Sequence, residues 1–560
     1  MWQGVVWFLV ALAAVLLVAK VIFSLNIVWQ IFNFPFQNDE SEGMIVAEVQ
    51  LMDSGANIYA QPTSTSFVSA PYPPLYYLLN WPLLHFGGLS FKPGRAISLA
   101  ATFGIAFLLY KLVRLINQPQ DFTLKRVSAA RVGGIAAALF WATLGLVAFW
   151  GDAVKPDMTA LFFSLLGVWA AAKWASRNAG PRTNVGRGSG EAFERSLQLL
   201  INEGWLYLAA VAFVLAVLTK QTAFAGPSAV LVFVLLRRPF AALRFGIVWL
   251  VLGFGPMLAM NVLSEGGYWW HNVIVHQLPW TFENYSKFMG GFVQSYQLYL
   301  LLALAFVVSW LLKLLSSRSG WRQNNGWLPM LYLGSSTLQG LSAGTYGGNH
   351  NHLLELAAAM CLCAGLGLAQ AWQLWQIAGA KTWQKAAWLL VLVLLIIQSI
   401  GLFVGEGQVK AANFPVLGSV GPGVHILEAL QTQFYNPDWL RLQYRVPPAV
   451  NTQNLENVYQ VLVNVNGPVY SDNISLVLLA NKPLFTTDPF TQTHATFYGR
   501  WNETELVQMI SQQKFAAIAG SNFDKQCSLP PIYFSPGIAA AVKQHYAVKY
   551  TDTECIFLPK

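Results

Sequence analysis

Phe36-Gln37-Asn38-Asp39-Glu40-Ser41-Glu42 places three carboxylates within four positions, directly after an apolar run from about Val5 to Val28. That run meets the roughly 20 residues needed to cross a bilayer, so the acidic cluster stands where a membrane helix ends. Carboxylates in such a place are either solvated loop charges or a base aimed into a cavity between membrane helices. Position alone leaves both readings open. Composition settles the class: 55% hydrophobic and 11% charged residues, with a mean hydropathy of +0.45, describe a polytopic α-helical membrane protein and exclude an ordinary soluble domain.

The net charge of +9 would suit a nucleic-acid partner in a soluble chain, but here the excess of Lys and Arg follows membrane topology. No nucleic-acid partner is needed to explain it. None of the four cysteines has metal-ligand spacing. Cys361 and Cys363 lie in an apolar segment, whereas Cys527 and Cys555 lie in a polar region and can pair if that region is extracytoplasmic, or remain two buried thiols. The N-terminal apolar run lacks a small-residue cleavage site and reads as a retained helix.

The first crossing leads into an outer loop over residues 26–91, whose middle, Pro71-Tyr72-Pro73-Pro74-Leu75-Tyr76-Tyr77, suits short interfacial helices. A second crossing near Arg95 to Val113 ends among Lys111, Arg114, Lys125, Arg126 and Arg131, which marks the cytoplasmic side. The Asp39 loop therefore faces outward. The third crossing, Val132 to Trp150, returns to Lys155-Pro156-Asp157, and a fourth, Met158 to about Ala175, leads to a Gly/Arg/Ser-rich linker from Ser176 to Arg195 that reads as disordered. The run from Trp205 to Leu236 is too long for one helix and too short for two full ones, so it predicts two short helices meeting at Lys220-Gln221 on the outer side.

Later crossings are expected over about Phe245 to Val262, Leu298 to Leu315, Leu328 to Ala343, Leu353 to Ala371 and Ala386 to Val404. Arg318, Arg322, Lys381 and Lys385 fall on the inner side. The result is a membrane part over residues 1–405 with about eleven transmembrane helices, followed by a small extracytoplasmic α/β domain over 406–560. All the unusual junctions, at Asp39, Asp157, Lys220 and Asn349, then share one face. Taken alone, Asp157 can cap a helix, Lys220 can snorkel, and the Asn and His residues of 349–352 can form a solvated turn. For His271 and His276 the plain structural role is preferred. Convergence of four junctions instead suggests an acidic base together with a cation that holds an anionic group such as phosphate.

These residues resemble the GT-C glycosyltransferases, membrane enzymes that use polyprenyl-phosphate-linked sugars, in particular bacterial relatives of protein O-mannosyltransferases and the lipid A aminoarabinose transferase. The resemblance rests on Asp39-Glu40 in the first outer loop, on Tyr72-Pro73-Pro74-Leu75-Tyr76 followed by Arg95, and on Lys155-Pro156-Asp157-Met158. It also rests on Thr219-Lys220-Gln221 and on Gly348-Asn349-His350-Asn351-His352 followed by Leu354-Glu355. Lys155 departs from the pattern, since many relatives carry Arg there.

The resemblance implies an inverting transfer of a sugar from a polyprenyl-phosphate donor to a hydroxyl of a glycan, lipid or protein acceptor, in the inner (plasma) membrane with an extracytoplasmic active site. Asp39 is expected as the base, with Glu40 and Asp157 as further catalytic candidates. Substrate contacts are expected from Lys220, Gln221, Arg95, Lys155, Tyr72, Asn349, Asn351, His352 and Glu355, with the phosphate meeting Lys220 and Arg95. No cofactor beyond the lipid-linked donor is expected; cations can stabilise the departing phosphate without a metal, and a divalent metal is left open. The rival functions are a lipid-linked sugar transporter or flippase, and an oligosaccharide polymerase or ligase. Broken helices occur in transporters too, but no internal repeat is visible and the charged junctions crowd one face.

Overall fold

The computed structural model describes residues 2–117, 128–177, 189–316, 322, 324–376, 386, 389–396, 449–521, 527–550 and 554–560. Among them, six helices are long and apolar enough to cross a membrane, beginning with Gly4–Asn33 of α1 (Trp2–Asn33). The others are α4 (Lys92–Ile116), α7 (Asp157–Arg177), α10 (Pro239–Leu263), and the helical stretches Phe282–Ser316 and His350–Gln376. Three shorter apolar helices, Ala129–Thr143, Glu203–Thr219 and Ala225–Arg237, accompany them. The chain is a multi-pass membrane protein.

Burial separates the helices by position. Leu354–Gln376 is buried along most of its length, from Leu354 to Ala369, and forms the centre of the bundle. α10 is equally apolar but buries only Ala241, Ala242, Phe245 and Gly253, leaving Leu243, Ile247, Leu250, Val251 and Leu258 exposed, as a helix facing lipid does. The central helix packs close to α5 (Ser128–Thr143) because Gly133 meets Gly365: a Cβ on Gly133 would lie 2.4 Å from the Gly365 carbonyl oxygen. Without hydrophobic driving force in lipid, such small-residue contact is what brings membrane helices together.

Three expectations are corrected. The crossing over Val132 to Trp150 is broken at Leu144 into α5 and α6 (Gly145–Trp150), because Tyr296 Oη accepts the Leu146 N–H at 3.1 Å and replaces the helical acceptor. The crossing from Leu298 starts earlier, at Phe282, and kinks at Tyr296, whose φ of −122° and ψ of 21° are not helical. The linker from Ser176 is shorter than expected, since α7 runs to Arg177 and α8 (Ser189–Thr219) begins at Ser189. The remaining linker, Lys125, Arg126, Arg318, Lys381, Lys385, most of the crossing from Ala386 and the boundary at 405/406 lie outside the described residues.

Two breaks build the outer face. The first outer loop folds into α2 (Glu40–Asp53) and α3 (Pro74–Gly87). The apolar run around Lys220 is two helices, α8 and α9 (Ala225–Arg237), and the first N–H groups of α9 are satisfied from another helix: Phe224 and Ala225 donate to Gln339 Oε1 at 3.1 and 2.9 Å.

The C-terminal region forms a four-stranded sheet in the order β1-β2-β4-β3, from β1 (Val469–Ser471), β2 (Ala517–Ser521), β3 (Tyr546–Tyr550) and β4 (Glu554–Pro559). β1 and β2 are parallel and the other pairs antiparallel, with five helices of the described region, from Ala449–Asn464 to Pro536–His545, packed around them. A disulfide joins Cys527 to Cys555. Closure of a loop with a separation of 28 residues stabilises by about 3 to 4 kcal/mol in the chain-entropy model. Alkylation of the unfolded, unreduced chain should therefore label only Cys361 and Cys363, and reduction should add two more thiols; four labelled before reduction would show that the pair is not formed.

Candidate functional site

Asp39 sits at the amino terminus of α2 in an extended conformation, with its Oδ1 accepting the Ser41 N–H at 3.1 Å and a close contact from the Ser41 hydroxyl. The carboxylate thus caps the helix, in keeping with the preference for Asp at that position. Its other neighbour is Lys155, whose Nζ lies 3.7 Å from Asp39 Oδ1. Lys155 also rests on the face of Trp150, with Nζ 4.3 Å from the ring centroid. Trp150, which the sequence did not single out, is a rigid platform under the lysine that faces Asp39.

On the far side of Lys155 lies a second pair. Lys220, at the break between α8 and α9, places Nζ 2.5 Å from Asp157 Oδ1, and Asn351 Nδ2 donates to the same oxygen at 2.8 Å. Lys155 lies within electrostatic reach of Asp157 as well, so Asp39, Lys155, Asp157 and Lys220 alternate in sign. Asp157 Oδ2 is buried and has no hydrogen-bond partner among the described residues. A lysine ammonium carries three donors, and for Lys220 only the contact to Asp157 is spent among the described residues. The side chains of Lys155, Lys220 and Asp39 are 12, 14 and 19% exposed, so the cluster is partly desolvated yet open to a ligand.

The remaining expected residues surround this core. Gln221 Nε2 donates to the Pro71 carbonyl at 2.9 Å, which joins the Lys220 break to the Tyr72 segment, and Tyr72 is within electrostatic reach of both Asp39 and Asp157. Burial is the main cause that holds the Tyr72 phenol far above its ordinary range, and Asp157 and Asp39 add to it. Asn349 turns back on His350, and His352 Nδ1 pairs with Ser342 at 2.7 Å, so these two shape the turn that presents Asn351. Glu355 is deeper: it accepts from Ser164 at 2.5 Å and from Gln339 Nε2 at 3.1 Å, while Gln339 caps α9. Glu355 supports the Lys220 break from behind.

Arg95 stands elsewhere than expected. Its Nε and Nη2 contact Glu42 at 3.0 and 2.7 Å, Nη1 donates to the carbonyls of Ile31 and Phe34 at 2.7 and 2.5 Å, and Nη2 also reaches the Phe36 carbonyl at 2.8 Å. All five guanidinium donors are taken and the side chain is fully buried, which leaves nothing for a phosphate. Glu42 in turn accepts the N–H groups of Asn38 and Val154 at 2.7 and 3.0 Å. The pair is a clamp that ties the Asp39 segment to the Lys155 junction. Among the described residues, no three His, Cys, Asp or Glu side chains converge as a metal-binding group.

No family model matches the chain, and no curated protein matches it in sequence. Solved structures do match in shape. ArnT from Cupriavidus metallidurans in the apo state is similar with a TM-score of 0.54 and 13% identity, over 99% of this chain and 98% of that one. The same protein bound to undecaprenyl phosphate gives 0.52 and 14% with the same coverage. The archaeal oligosaccharyltransferase AglB from Archaeoglobus fulgidus, in complex with an inhibitory peptide and a dolichol-phosphate, gives 0.51 and 10% over 98% of this chain and 74% of that one. The chain shares the fold of ArnT and AglB, as the resemblance to the GT-C glycosyltransferases implies. At these identities the likeness is one of fold, and it runs through the C-terminal region as well as the membrane part.

Proposed function

We propose that the protein is an inverting glycosyltransferase that moves a sugar from a polyprenyl-phosphate donor to a hydroxyl of a glycan, lipid or protein acceptor on the extracytoplasmic side of the inner membrane. The observation that carries this reading is the alternation of Asp39, Lys155, Asp157 and Lys220 in one partly desolvated cluster. Two of the structures with this fold hold undecaprenyl phosphate and dolichol-phosphate, which supports a lipid phosphate as the ligand class. The positive-inside pattern and the disulfide support the outer side for the site and for a C-terminal domain over 406–560.

In the reaction, the acceptor oxygen attacks the anomeric carbon while Asp39 takes its proton. The bond from that carbon to the phosphate oxygen breaks, and polyprenyl phosphate leaves with the bonding pair. Lys220, with Lys155 beside it, stabilises the charge that develops on the leaving oxygen. Tyr72, Gln221, Asn351 and Asp157 surround the sugar, and the unpartnered Asp157 Oδ2 is placed to accept from one of its hydroxyls. The test is release of polyprenyl phosphate from a labelled donor by purified protein offered a range of acceptor extracts. Intact donor moved across the bilayer would favour a transporter, and transfer of an oligosaccharide in place of one sugar would favour a ligase.

The lysine has its own signature. Lys220→Ala should weaken binding of the lipid-phosphate donor by about tenfold to a hundredfold, the scale of a lost hydrogen bond to a charged group. Fluorescent polyprenyl phosphate in detergent measures it, and Lys220→Arg should restore part of the affinity. Donor binding that ignores both substitutions would remove Lys220 from the phosphate site.

A further inference from the structure

The C-terminal domain is bound into the first outer loop. Phe67 and Thr486 form a parallel bridge in which Phe67 N–H donates to the Phe485 carbonyl at 2.8 Å and Thr487 N–H to the Phe67 carbonyl at 3.0 Å. Buried Glu48 accepts from both sides of the seam, from Ala70 N–H at 2.9 Å and from the Thr487 hydroxyl at 3.1 Å. Ser69 donates to Asp488 at 3.2 Å, and Trp501 Nε1 to the Thr63 carbonyl at 2.8 Å. Further along the same surface, the Tyr533 hydroxyl donates to Glu40 Oε1 at 2.6 Å. Glu40 is the residue next to Asp39. A side chain from the end of the chain therefore holds the immediate neighbour of the proposed base.

We propose that the C-terminal domain completes the active site through Tyr533, a positioning residue whose hydroxyl holds the Glu40 carboxylate beside Asp39 and so sets the charge next to the proposed base. The inference rests on the reading of Asp39 as base. A charge beside the reacting groups acts on them only while it is present, so Glu40 influences the site only while ionised. The groups that face it are mixed: Asp39 and Asp488 oppose its charge, whereas Lys155 and the Tyr533 hydroxyl favour it, and Asp472 lies within electrostatic reach of Tyr533. Enclosure by the surrounding protein, and after it the Asp39 charge, push the Glu40 carboxyl up to about 7, an effect damped by the contact with solvent that the residue keeps. The Tyr533 hydrogen bond favours the ionised form.

The sign follows. Tyr533→Phe removes a donor that favours the anion, so Glu40 stays protonated to higher pH and Asp39 loses its negative neighbour in that range. Transfer by Tyr533→Phe should fall by roughly threefold to tenfold at pH 7 and converge on wild type near pH 9. Because Tyr533 acts through Glu40, adding Tyr533→Phe to Glu40→Gln should cost nothing further. A readout independent of turnover is the carboxyl infrared band that Glu40→Gln deletes, titrated in the full-length protein: its midpoint should move to higher pH in Tyr533→Phe. Loss of transfer by wild type with every acceptor would remove the base reading, while the infrared midpoint would still report on the Tyr533 contact. A midpoint that does not move, a pH profile unchanged by Tyr533→Phe, or an added loss in the double variant would overturn the positioning role.

Discussion

Asp39→Asn should lower the rate of sugar transfer by about a hundredfold or more and leave the lipid-phosphate donor bound. Asn is as good a helix cap as Asp, so the Ser41 contact and the start of α2 survive the change. The altered property is the capacity to accept a proton. Lys155 loses an anionic neighbour at 3.7 Å but keeps the Trp150 face, so the cation stays in the site. Single-turnover kinetics with preloaded donor separate the two effects, since a base acts in the transition state and contributes little to ground-state affinity. Full release of polyprenyl phosphate by the variant would rule Asp39 out as base. Taken with the Lys220 variants, the expected pattern is a split between rate and binding that a carrier of uncleaved donor would not show.

The fold was legible because hydropathy is a local signal. Each crossing announces itself over about 20 residues, and the break at Lys220 could be read from the mere length of the run it interrupts. The alternating cluster was legible for a related reason: Lys155 and Asp157 share one junction, and the others stand at helix ends that topology puts on one side. Pairings across sequence were not legible. Arg95 was read as a phosphate ligand because a buried arginine and a free one look alike in a sequence, and its partner Glu42 is 53 positions away. The break at Leu144 depends on a tyrosine hydroxyl 150 positions from the Leu146 N–H it accepts, and Tyr533 meets Glu40 across 493 positions. No periodicity carries such contacts. The shared signal was weak but present in one case: a carboxylate and an arginine, both in segments leading to the same face, were candidates for each other as much as for a ligand.

The clamp itself supplies the second large effect. Glu42→Gln leaves the Arg95 charge buried without a counter-ion, and the loss should be about 3 to 5 kcal/mol, the scale of a buried pair broken on one side. Arg95→Leu strands the Glu42 carboxylate together with the carbonyls of Ile31, Phe34 and Phe36 and should cost as much. Arg95→Lys should rescue little, since three donors on a point charge cannot replace five in a planar fork. Thermal unfolding in detergent measures the singles, and a Glu42→Met/Arg95→Met double variant should lose less than their sum because no lone charge remains. Singles that melt like wild type would show that the pair does not hold the fold. The pair also reaches both halves of the site, through the Asn38 N–H ahead of Asp39 and the Val154 N–H ahead of Lys155. A variant that stays folded at low temperature should accordingly turn over slowly while still binding donor, because Lys220 is held by a separate set of contacts to Asp157.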